Sequence, residues 1–365
     1  MRITFLLSLV LVLAKTTFAQ HTVKEVLAMQ GIPKSYAAAK TSTIFTIDGK
    51  DDESIWATTA WTDSFQDIEG HAKAKPKYDT KIKMLWDDEN LYIYARLEEP
   101  HIWGDLTTHD AIIYHNNDFE VFIKPYNNQS TYFELEVNPL NTILDLLMTK
   151  PYRLGGEAMI HWDIKGIQTA VYTSGTINNP NDRDNYWAIE MAIPFQSIHN
   201  FGRGSSPKSG DQWRINFSRV QWQHEVINGK YSRKKVNNKY IAEDNWVWSP
   251  IGIVNMHYPE RWGYIHFIDA LDTAVPYPKS QNIEQFTWNL YYLQNIFKNK
   301  HNKYCKEIAL LQEKHSFWND EFQRYTIETT LNKDASYYRI AIKDNQNNLS
   351  TSIDSYGNYN INYGK

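Results

Sequence analysis

The sequence lacks the features that would cross-link a chain or anchor it through a lipid. It contains one cysteine, Cys305, among 365 residues, so an oxidising compartment cannot give it an internal disulfide bond. No cysteine lies near residue 20, where a processed exported chain would carry a lipid. Burial of a core must therefore supply the stability of the fold.

Long apolar runs are absent except at the N-terminus. Met1 and Arg2 precede an apolar run from Ile3 to Ala14, and small or polar residues follow as far as Ala19. About a dozen apolar residues are too few to cross a bilayer, which takes roughly 20. This order is typical of a secretory signal peptide, the alternative being a buried helix of the fold. We predict cleavage after Ala19, a secreted or periplasmic mature chain, and no membrane span.

The sequence also has no excess of charge of one sign. Its 38 Lys and Arg residues nearly balance 42 Asp and Glu residues, and neither sign forms a long block. A nucleic-acid partner is therefore not expected, and nothing points to a particular protein partner. Aromatic residues, by contrast, make up 14% of the chain, with 13 Trp and 24 Tyr. Such residues suit both the core of a β-sandwich and a surface that stacks on sugars.

Short strands separated by turns predict the fold class. In the hairpin of residues 81–98, Leu91 and Ile93 alternate with Tyr92 and Tyr94, as in a strand with one face in a core. Further strands are predicted at 118–124, 131–138, 168–173, 186–193, 212–222 and 262–267. Because no βαβ rhythm is present, we predict a mainly β fold, an antiparallel β-sandwich of the immunoglobulin-like or jelly-roll-like type. Binding residues are expected on the long polar loops, which span 141–166, 174–185 and 223–245.

The pattern changes after Ala270. Residues 283–304 carry an apolar stripe at helical spacing, which comprises Phe286, Leu290, Leu293 and Phe297. Three short strands and an Asn-rich, frayed tail are predicted to follow. We therefore predict a sandwich over residues 40–270 and a small α+β unit over residues 280–360. Proteolysis between Ala270 and Lys279 is expected to leave a sandwich that still binds its ligand.

Five stretches of sequence, taken together and in this order, resemble the family 9 carbohydrate-binding module. They are IDGKDDESIW (47–56), LWDDENLYI (85–93), NDFEVFI (117–123), WRINFSR (213–219) and WSP (248–250) followed by PERWG (259–263). The resemblance covers about residues 40–270 and is closest to exported bacterial proteins of the family 9-like type, within a DOMON-like superfamily. It implies a β-sandwich that binds an oligo- or polysaccharide without cleaving it.

The resemblance also implies which residues contact the sugar. Family 9 modules hold it between two aromatic rings, above polar residues of the sheet. The ring positions fall on Tyr114 and on Met256 or Tyr258, while Glu136 stands where the family has an arginine. The full implied set is Tyr114, Glu120, Glu136, Ser218, Arg219, Asn255, Met256 and Tyr258.

Strand alternation supports a polar sheet face independently of the resemblance. Glu120, Glu134, Glu136 and Asn138 are out of phase with apolar neighbours such as Phe119, so they share one face. Carboxylates and amides on a rigid sheet can accept hydrogen bonds from sugar hydroxyls. A solvated outer face would show the same pattern.

Arg219 has the opposite phase. It alternates with the apolar residues Ile215 and Phe217, which places it toward the core. A buried arginine needs a carboxylate partner, and Glu120 or Glu136 is expected to supply it. Both a structural ion pair and a ligand clamp are consistent with this position.

Tryptophans of the loops are further candidates for stacking on a sugar. Trp103, Trp162 and Trp222 each follow or interrupt a polar stretch, so we predict that they are exposed and contact the ligand. Trp246 and Trp248 are weaker candidates of the same kind. Packing in the core is the alternative for all five.

Other functions are consistent with parts of the sequence. Paired carboxylates on adjacent strands would serve a glycosidase, and a structural or partner-binding sandwich without sugar affinity is a second alternative. Met148, Met256 and His257 in loops would suit haem, which a related sandwich superfamily binds. Turns at 48–53 and 87–89 could supply oxygen ligands to a structural calcium ion, whereas no zinc motif is present. Non-catalytic carbohydrate binding is the function we predict.

Overall fold

The computed structural model describes residues 21–199, 205–270, 277–311 and 323–364. The protein is mostly β, with 36% strand and 17% helix, which confirms the predicted fold class. The predicted signal peptide lies outside the described residues. Within the described ranges, no helix is long and apolar enough to cross a membrane.

Twenty-one strands and four α-helices make up the described structure. In chain order the strands are β1 (Ser35–Lys40), β2 (Gln66–Asp67), β3 (Thr80–Trp86), β4 (Asn90–Glu98), β5 (Asp118–Lys124), β6 (Tyr132–Val137), β7 (Ile143–Met148), β8 (Ala158–Met159), β9 (Gln168–Ser174), β10 (Tyr186–Pro194), β11 (Gln212–Gln221), β12 (His224–Ile227), β13 (Lys230–Arg233), β14 (Lys235–Val236), β15 (Lys239–Tyr240), β16 (Asp244–Val247), β17 (Gly263–Ile268), β18 (Tyr325–Leu331), β19 (Tyr338–Asp344), β20 (Leu349–Asp354) and β21 (Tyr359–Asn362). The helices are α1 (Val23–Ala28), α2 (Ser54–Thr58), α3 (Gln281–His301) and α4 (Ile308–Leu311).

Thirteen strands form one curled sheet. Its main path runs β8-β7-β6-β5-β11-β17-β1-β3-β4-β10-β9, with β16 and β2 attached beside β11. Apolar side chains from both halves of this path, such as Phe119 and Ile215 on one and Met84 and Ile189 on the other, belong to a single buried cluster. The sheet therefore closes over its own core as a sandwich. One feature differs from the predicted antiparallel arrangement, because β1 pairs in parallel with both β17 and β3.

A glycine turn anchors the segment before α2 to the sheet. The peptide N–H groups of Asp48 and Gly49 and the indole N–H of Trp56 donate to the carboxylate of Glu190 on β10. Gly49 has a φ of 86°, and a Cβ there would lie 2.6 Å from the peptide nitrogen of Tyr172. Only glycine fits this close approach, which explains the Asp-Gly pair of the first sequence stretch.

The C-terminal helix lies between the sandwich and a second sheet. α3 buries Phe286, Leu290 and Leu293, as the sequence predicts, and ends at His301, with Asn302 as its C-cap in the left-handed conformation at φ 56°. Four antiparallel strands, β18 to β21, form the second sheet. The fourth, Tyr359–Asn362, occupies the place of the predicted frayed tail, because Ile361 turns inward and is buried.

Apolar and charged contacts join α3 to the main sheet. Phe122, Tyr132 and Trp262 of the sandwich belong to the same buried cluster as the helix. The guanidinium of Arg214 on β11 pairs with the carboxylate of Glu284 on α3 at 3.1 Å, and both side chains are buried. The division into a sandwich and a separately stable C-terminal unit remains a prediction.

Candidate functional site

Carboxylates gather on one face of strands β5 and β6, beside β11. Glu120 pairs with Glu136 on β6 and with Ser218 on β11 in the strand register. Glu134 lies two residues before Glu136 on β6, so it is on the same face. Strand alternation turns these side chains away from the sandwich core, as predicted. All three glutamates are buried, with exposures of 6%, 4% and 6% for Glu120, Glu136 and Glu134, so this is not a solvated outer face.

Burial perturbs the acidity of this group. It raises the pKa of Glu120 to about 7, and it raises the pKa values of Asp118, Glu134 and Glu136 well above their usual range. Repulsion between neighbouring carboxylates adds to the shift for Asp118, Glu134 and Glu136. Among the described residues, no lysine or arginine forms an ion pair with any of the four. At neutral pH the group therefore holds protonated carboxyls, which donate hydrogen bonds as well as accept them.

The carboxylates also lie close enough to share a cation. One oxygen from each of Asp118, Glu120 and Glu136 falls within 4.8 Å of the others. One oxygen of Asp118 is buried without a hydrogen-bond partner. We call Asp118, Glu120, Glu134 and Glu136 the carboxylate face.

Two exposed tyrosines lie beside the carboxylate face. Tyr114 is 41% exposed, and its peptide N–H donates to Glu136 at 2.9 Å. Tyr152 is 43% exposed and begins a short 3₁₀ helix, Tyr152–Leu154, which is capped by Gly155 with a φ of 74°. Burial, followed by the charges of Glu134 and Glu136, raises the pKa of Tyr152. Both rings are thus available to a ligand above the carboxylates.

His257 connects Tyr152 to the carboxylate face. Its imidazole packs edge-on against the Tyr152 ring, with 4.7 Å between centroids, and its Nδ1 lies 4.0 Å from the carboxylate of Glu134. The same nitrogen is 2.7 Å from the hydroxyl of Tyr132. Burial, with Arg153 nearby, lowers the pKa of His257 to about 4, so this histidine is neutral at pH 7.

The segment before Pro259 does not supply the second ring. Met256 is buried in the apolar cluster beneath α3, and Tyr258 is buried with its ring 4.0 Å from the Arg153 guanidinium. Asn255 is exposed, and its side-chain carbonyl accepts the peptide N–H of His257 at 2.8 Å. Asn255 therefore positions His257, and the exposed ring on this side of the site is that of Tyr152.

The predicted exposure of two tryptophans is wrong. Trp222 is 6% exposed, and its indole N–H donates to the peptide oxygen of Tyr114 at 2.7 Å. Trp103 is 3% exposed and packs in the same small cluster as Trp222. The polar loops fold back over these rings, so Trp222 supports the Tyr114 loop from below. Trp162 is half-buried against Phe133 on the core side of the sheet, with 5.0 Å between ring centroids.

The predicted partner of Arg219 is also wrong. Arg219 is buried on the core face of β11, beside Phe217, as its phase indicates. Its guanidinium pairs with Glu99, which follows β4, at 3.0 Å. Glu120 and Glu136 lie on the opposite face of the sheet and cannot reach it. The geometry assigns Arg219 a structural ion pair.

The turns considered for calcium use their carboxylates locally. Asp48 accepts the peptide N–H of Lys50 and pairs with its ammonium group. Asp87 accepts the peptide N–H groups of Glu89 and Asn90. These are the hydrogen bonds of ordinary turns. In the part of the chain that the structure describes, neither turn gathers three metal-binding side chains.

Sequence reasoning missed Tyr152 as a site residue and considered His257 only as a haem ligand. Tyr152 lies in the 141–166 loop, which the sequence marks as functional, between Pro151 and Gly155. A tyrosine next to turn-forming residues in a long loop was the signal available. Only the fold brings residues 152 and 257 together, so the sequence carries no sign of their contact.

Comparison with known families confirms the sequence resemblance. Residues 47–217 match the family described as carbohydrate family 9 binding domain-like. The matched segment includes Tyr114, Glu120, Glu136 and Tyr152. No match was found among curated proteins.

Solved structures with similarity to this chain include proteins from two bacteria. A candidate carbohydrate-binding protein from Bacteroides uniformis is 14% identical, with a TM-score of 0.47 over 64% of this chain and 99% of that one. A family 9 carbohydrate-binding module from Caldicellulosiruptor kristjanssonii, solved in complex with glucose and with cellotriose, is 17% identical. Both of its structures have a TM-score of 0.38 over 67% of this chain and all of that one.

Proposed function

We propose that this protein is exported and binds a carbohydrate, without cleaving it, on the carboxylate face beside Tyr114 and Tyr152. The observation that carries the proposal is the pair of exposed tyrosine rings next to a polar, buried set of carboxyls. Apolar faces of a sugar ring stack on tyrosine, while sugar hydroxyls need both donors and acceptors. Carboxyls with raised pKa values offer both. The family match over residues 47–217, which includes these groups, supports the same function.

The arrangement of the carboxylates favours binding over hydrolysis. Glycosidases place two carboxyls on either side of the scissile bond, about 5–5.5 Å or 6.5–9.5 Å apart. Here Glu120 and Glu136 lie side by side on neighbouring strands and on the same face of the sheet, not on either side of a ligand. We therefore expect no hydrolysis of any saccharide that the protein binds, as measured by release of reducing ends.

The lack of a cationic partner among the described residues of the carboxylate face suggests its sugar class. Glu136 stands in the position that the family resemblance assigns to an arginine, and the neighbouring groups are carboxyls. Among the described residues, no lysine or arginine pairs with these carboxyls, so an acidic sugar would find no cationic partner there. We propose that neutral saccharides bind and that uronate-containing saccharides bind less well.

A glycan array followed by calorimetry tests this function. Purified residues 20–365 should bind at least one neutral saccharide with a dissociation constant in the micromolar to millimolar range, about 4–8 kcal/mol, because a shallow site leaves much of a sugar solvated. Tyr152→Ala and Tyr114→Ala should each weaken binding about tenfold. Tyr356→Ala, at a tyrosine that is 66% exposed on the C-terminal unit, is the matched control and should bind normally.

Two alternatives have distinct outcomes. If the protein binds no saccharide on the array, a structural or partner-binding sandwich is favoured. The burial of Met256 and Tyr258, which removes two expected sugar contacts, is consistent with that alternative. A Soret band in the purified protein would favour haem binding. We expect none, because Met148 and Met256 are both packed in the apolar cluster.

Export has its own test. The apolar run that ends at Ala14, followed by small residues up to Ala19, supports a cleaved signal peptide. N-terminal sequencing of the protein from the periplasm or the medium should begin at Gln20. An intact Met1 on the mature protein would contradict the proposal.

A further inference from the structure

A histidine and three aspartates meet at the edge of the sandwich near β7. We propose that His109, Asp110, Asp145 and Asp163 bind one divalent transition-metal ion, with Zn²⁺ as the first candidate. Each residue offers one ligand atom, and all four atoms lie within 4.8 Å of one another. The proposal is independent of the sugar site, since Asp145 pairs with Leu135 in the register and shares its core-side phase.

The hydrogen bond of His109 determines which of its nitrogens faces the aspartates. Its Nδ1 lies 3.0 Å from the peptide oxygen of Ile143, which can only accept, so Nδ1 carries the hydrogen. The lone pair of the neutral ring is therefore on Nε2. Metal-binding histidines are commonly oriented in this way, by an N–H that donates to a backbone carbonyl.

The distances from Nε2 suit a shared ion. The nearest oxygens of Asp163, Asp145 and Asp110 lie 3.3, 3.7 and 3.8 Å from Nε2 of His109. Two ligand atoms about 2.1 Å from a tetrahedral ion are about 3.4 Å apart. Small side-chain movements would therefore bring all four atoms to a Zn²⁺ ion.

Unpartnered oxygens point to the same conclusion. The Asp145 side chain is 2% exposed, and its Oδ2 accepts a hydrogen bond from the peptide N–H of Ile164. Its other oxygen, Oδ1, faces His109 and has no hydrogen-bond partner. Oδ1 of Asp110 is also buried without a partner. A proton on Nε2 could satisfy Asp163 alone, because the other two oxygens are beyond hydrogen-bond distance. A metal ion would satisfy all three.

The chemistry of the ligands indicates the kind of metal. Imidazole nitrogen suits Zn²⁺ and its transition-metal neighbours, whereas Ca²⁺ and Mg²⁺ prefer oxygen ligands alone. His161 adds a second imidazole near Asp110, at 3.8 Å, and is fully solvent-accessible. Bound metal would tie β7 to two loops, one of which leads to Tyr114 four residues after Asp110.

Calorimetry on the chelator-treated, tag-free chain of residues 20–365 tests the site directly. We expect one equivalent of Zn²⁺ to bind and to raise the melting temperature. Co²⁺ should give the intense visible absorption of four-coordinate geometry. His109→Gln should weaken Zn²⁺ binding at least about tenfold, and Asp145→Asn should do the same while its side-chain oxygen still accepts from Ile164.

A histidine distant from the proposed metal site provides the control. His71→Gln changes an exposed histidine elsewhere and should leave Zn²⁺ binding unchanged. Because His109 is 55% exposed, His109→Gln should fold normally, which circular dichroism would verify. The proposal is overturned if the folded wild-type chain takes up no Zn²⁺, if it takes up Ca²⁺ instead, or if His109→Gln binds Zn²⁺ as tightly as the wild type.

Discussion

Replacement of Arg219 should damage stability and leave sugar binding intact. Arg219 and Glu99 are 1% and 2% exposed, and the guanidinium also donates to Thr80 and Gln221. Arg219→Met would leave the buried Glu99 carboxylate without a cationic partner. Its remaining hydrogen-bond donors would be the peptide N–H of His101 at 3.0 Å and the side-chain amide of Asn117 at 3.2 Å. Removal of one partner of a buried ion pair costs about 3–5 kcal/mol. That is a large share of the roughly 5–15 kcal/mol that stabilise a typical protein.

Urea unfolding at pH 7 measures the effect. The double variant Glu99→Gln with Arg219→Met removes the stranded charge, so it should recover at least about 2 kcal/mol relative to Arg219→Met alone. Arg339→Met, at an exposed arginine of β19, is the control and should change stability by less than about 0.5 kcal/mol. The structural assignment of Arg219 would be refuted by a loss below about 1 kcal/mol, or by a saccharide affinity that falls while stability is retained.

Three further perturbations test the fold. Burial lowers the pKa of His266 from 6.5 to about 4. The folded state therefore binds this proton less tightly than the unfolded state does, so the free energy of unfolding falls as the pH drops from 6.5 toward 4. His266→Asn should remove up to about 3 kcal/mol of that loss, seen as a flatter plot of unfolding free energy against pH. Gly49→Ala should lower the free energy of unfolding in urea by at least about 1 kcal/mol, because φ is 86° and the new Cβ would clash with the backbone of Tyr172. Equal stability of the variant and the wild type would contradict the described turn. A chain that ends at Asp269 should unfold at a lower urea concentration than the full chain, because Phe122 would lose the cover of α3, and an unchanged midpoint would favour independent units.

Strand phase made the sheet faces predictable from the sequence. The alternation in β5 and β6 correctly separates Phe119 and Leu135, in the core, from Glu120 and Glu136 on the opposite face. The apolar stripe of α3 is predictable for the same reason, since local periodicity determines which side of an element is buried. Burial of both faces of β5 was not predictable, because the cover comes from distant parts of the chain.

Contacts between distant loops account for what the sequence could not show. Arg219 pairs with Glu99, which is 120 residues away, although glutamates on adjacent strands were the natural candidates. Trp222 follows a polar strand end and still lies under the Tyr114 loop. The position of Tyr152 against His257 likewise depends on a fold contact over 105 positions, which local pattern does not encode.

Calorimetric titration of one saccharide into matched variants tests the central claim most directly. The saccharide is the neutral sugar that binds most strongly on the array, and the proteins are the wild type, Tyr152→Ala and Tyr356→Ala. We predict micromolar to millimolar binding by the wild type and by Tyr356→Ala, and about tenfold weaker binding by Tyr152→Ala. Equal affinity of all three proteins would place the sugar elsewhere, and the absence of binding to any saccharide would contradict carbohydrate binding altogether.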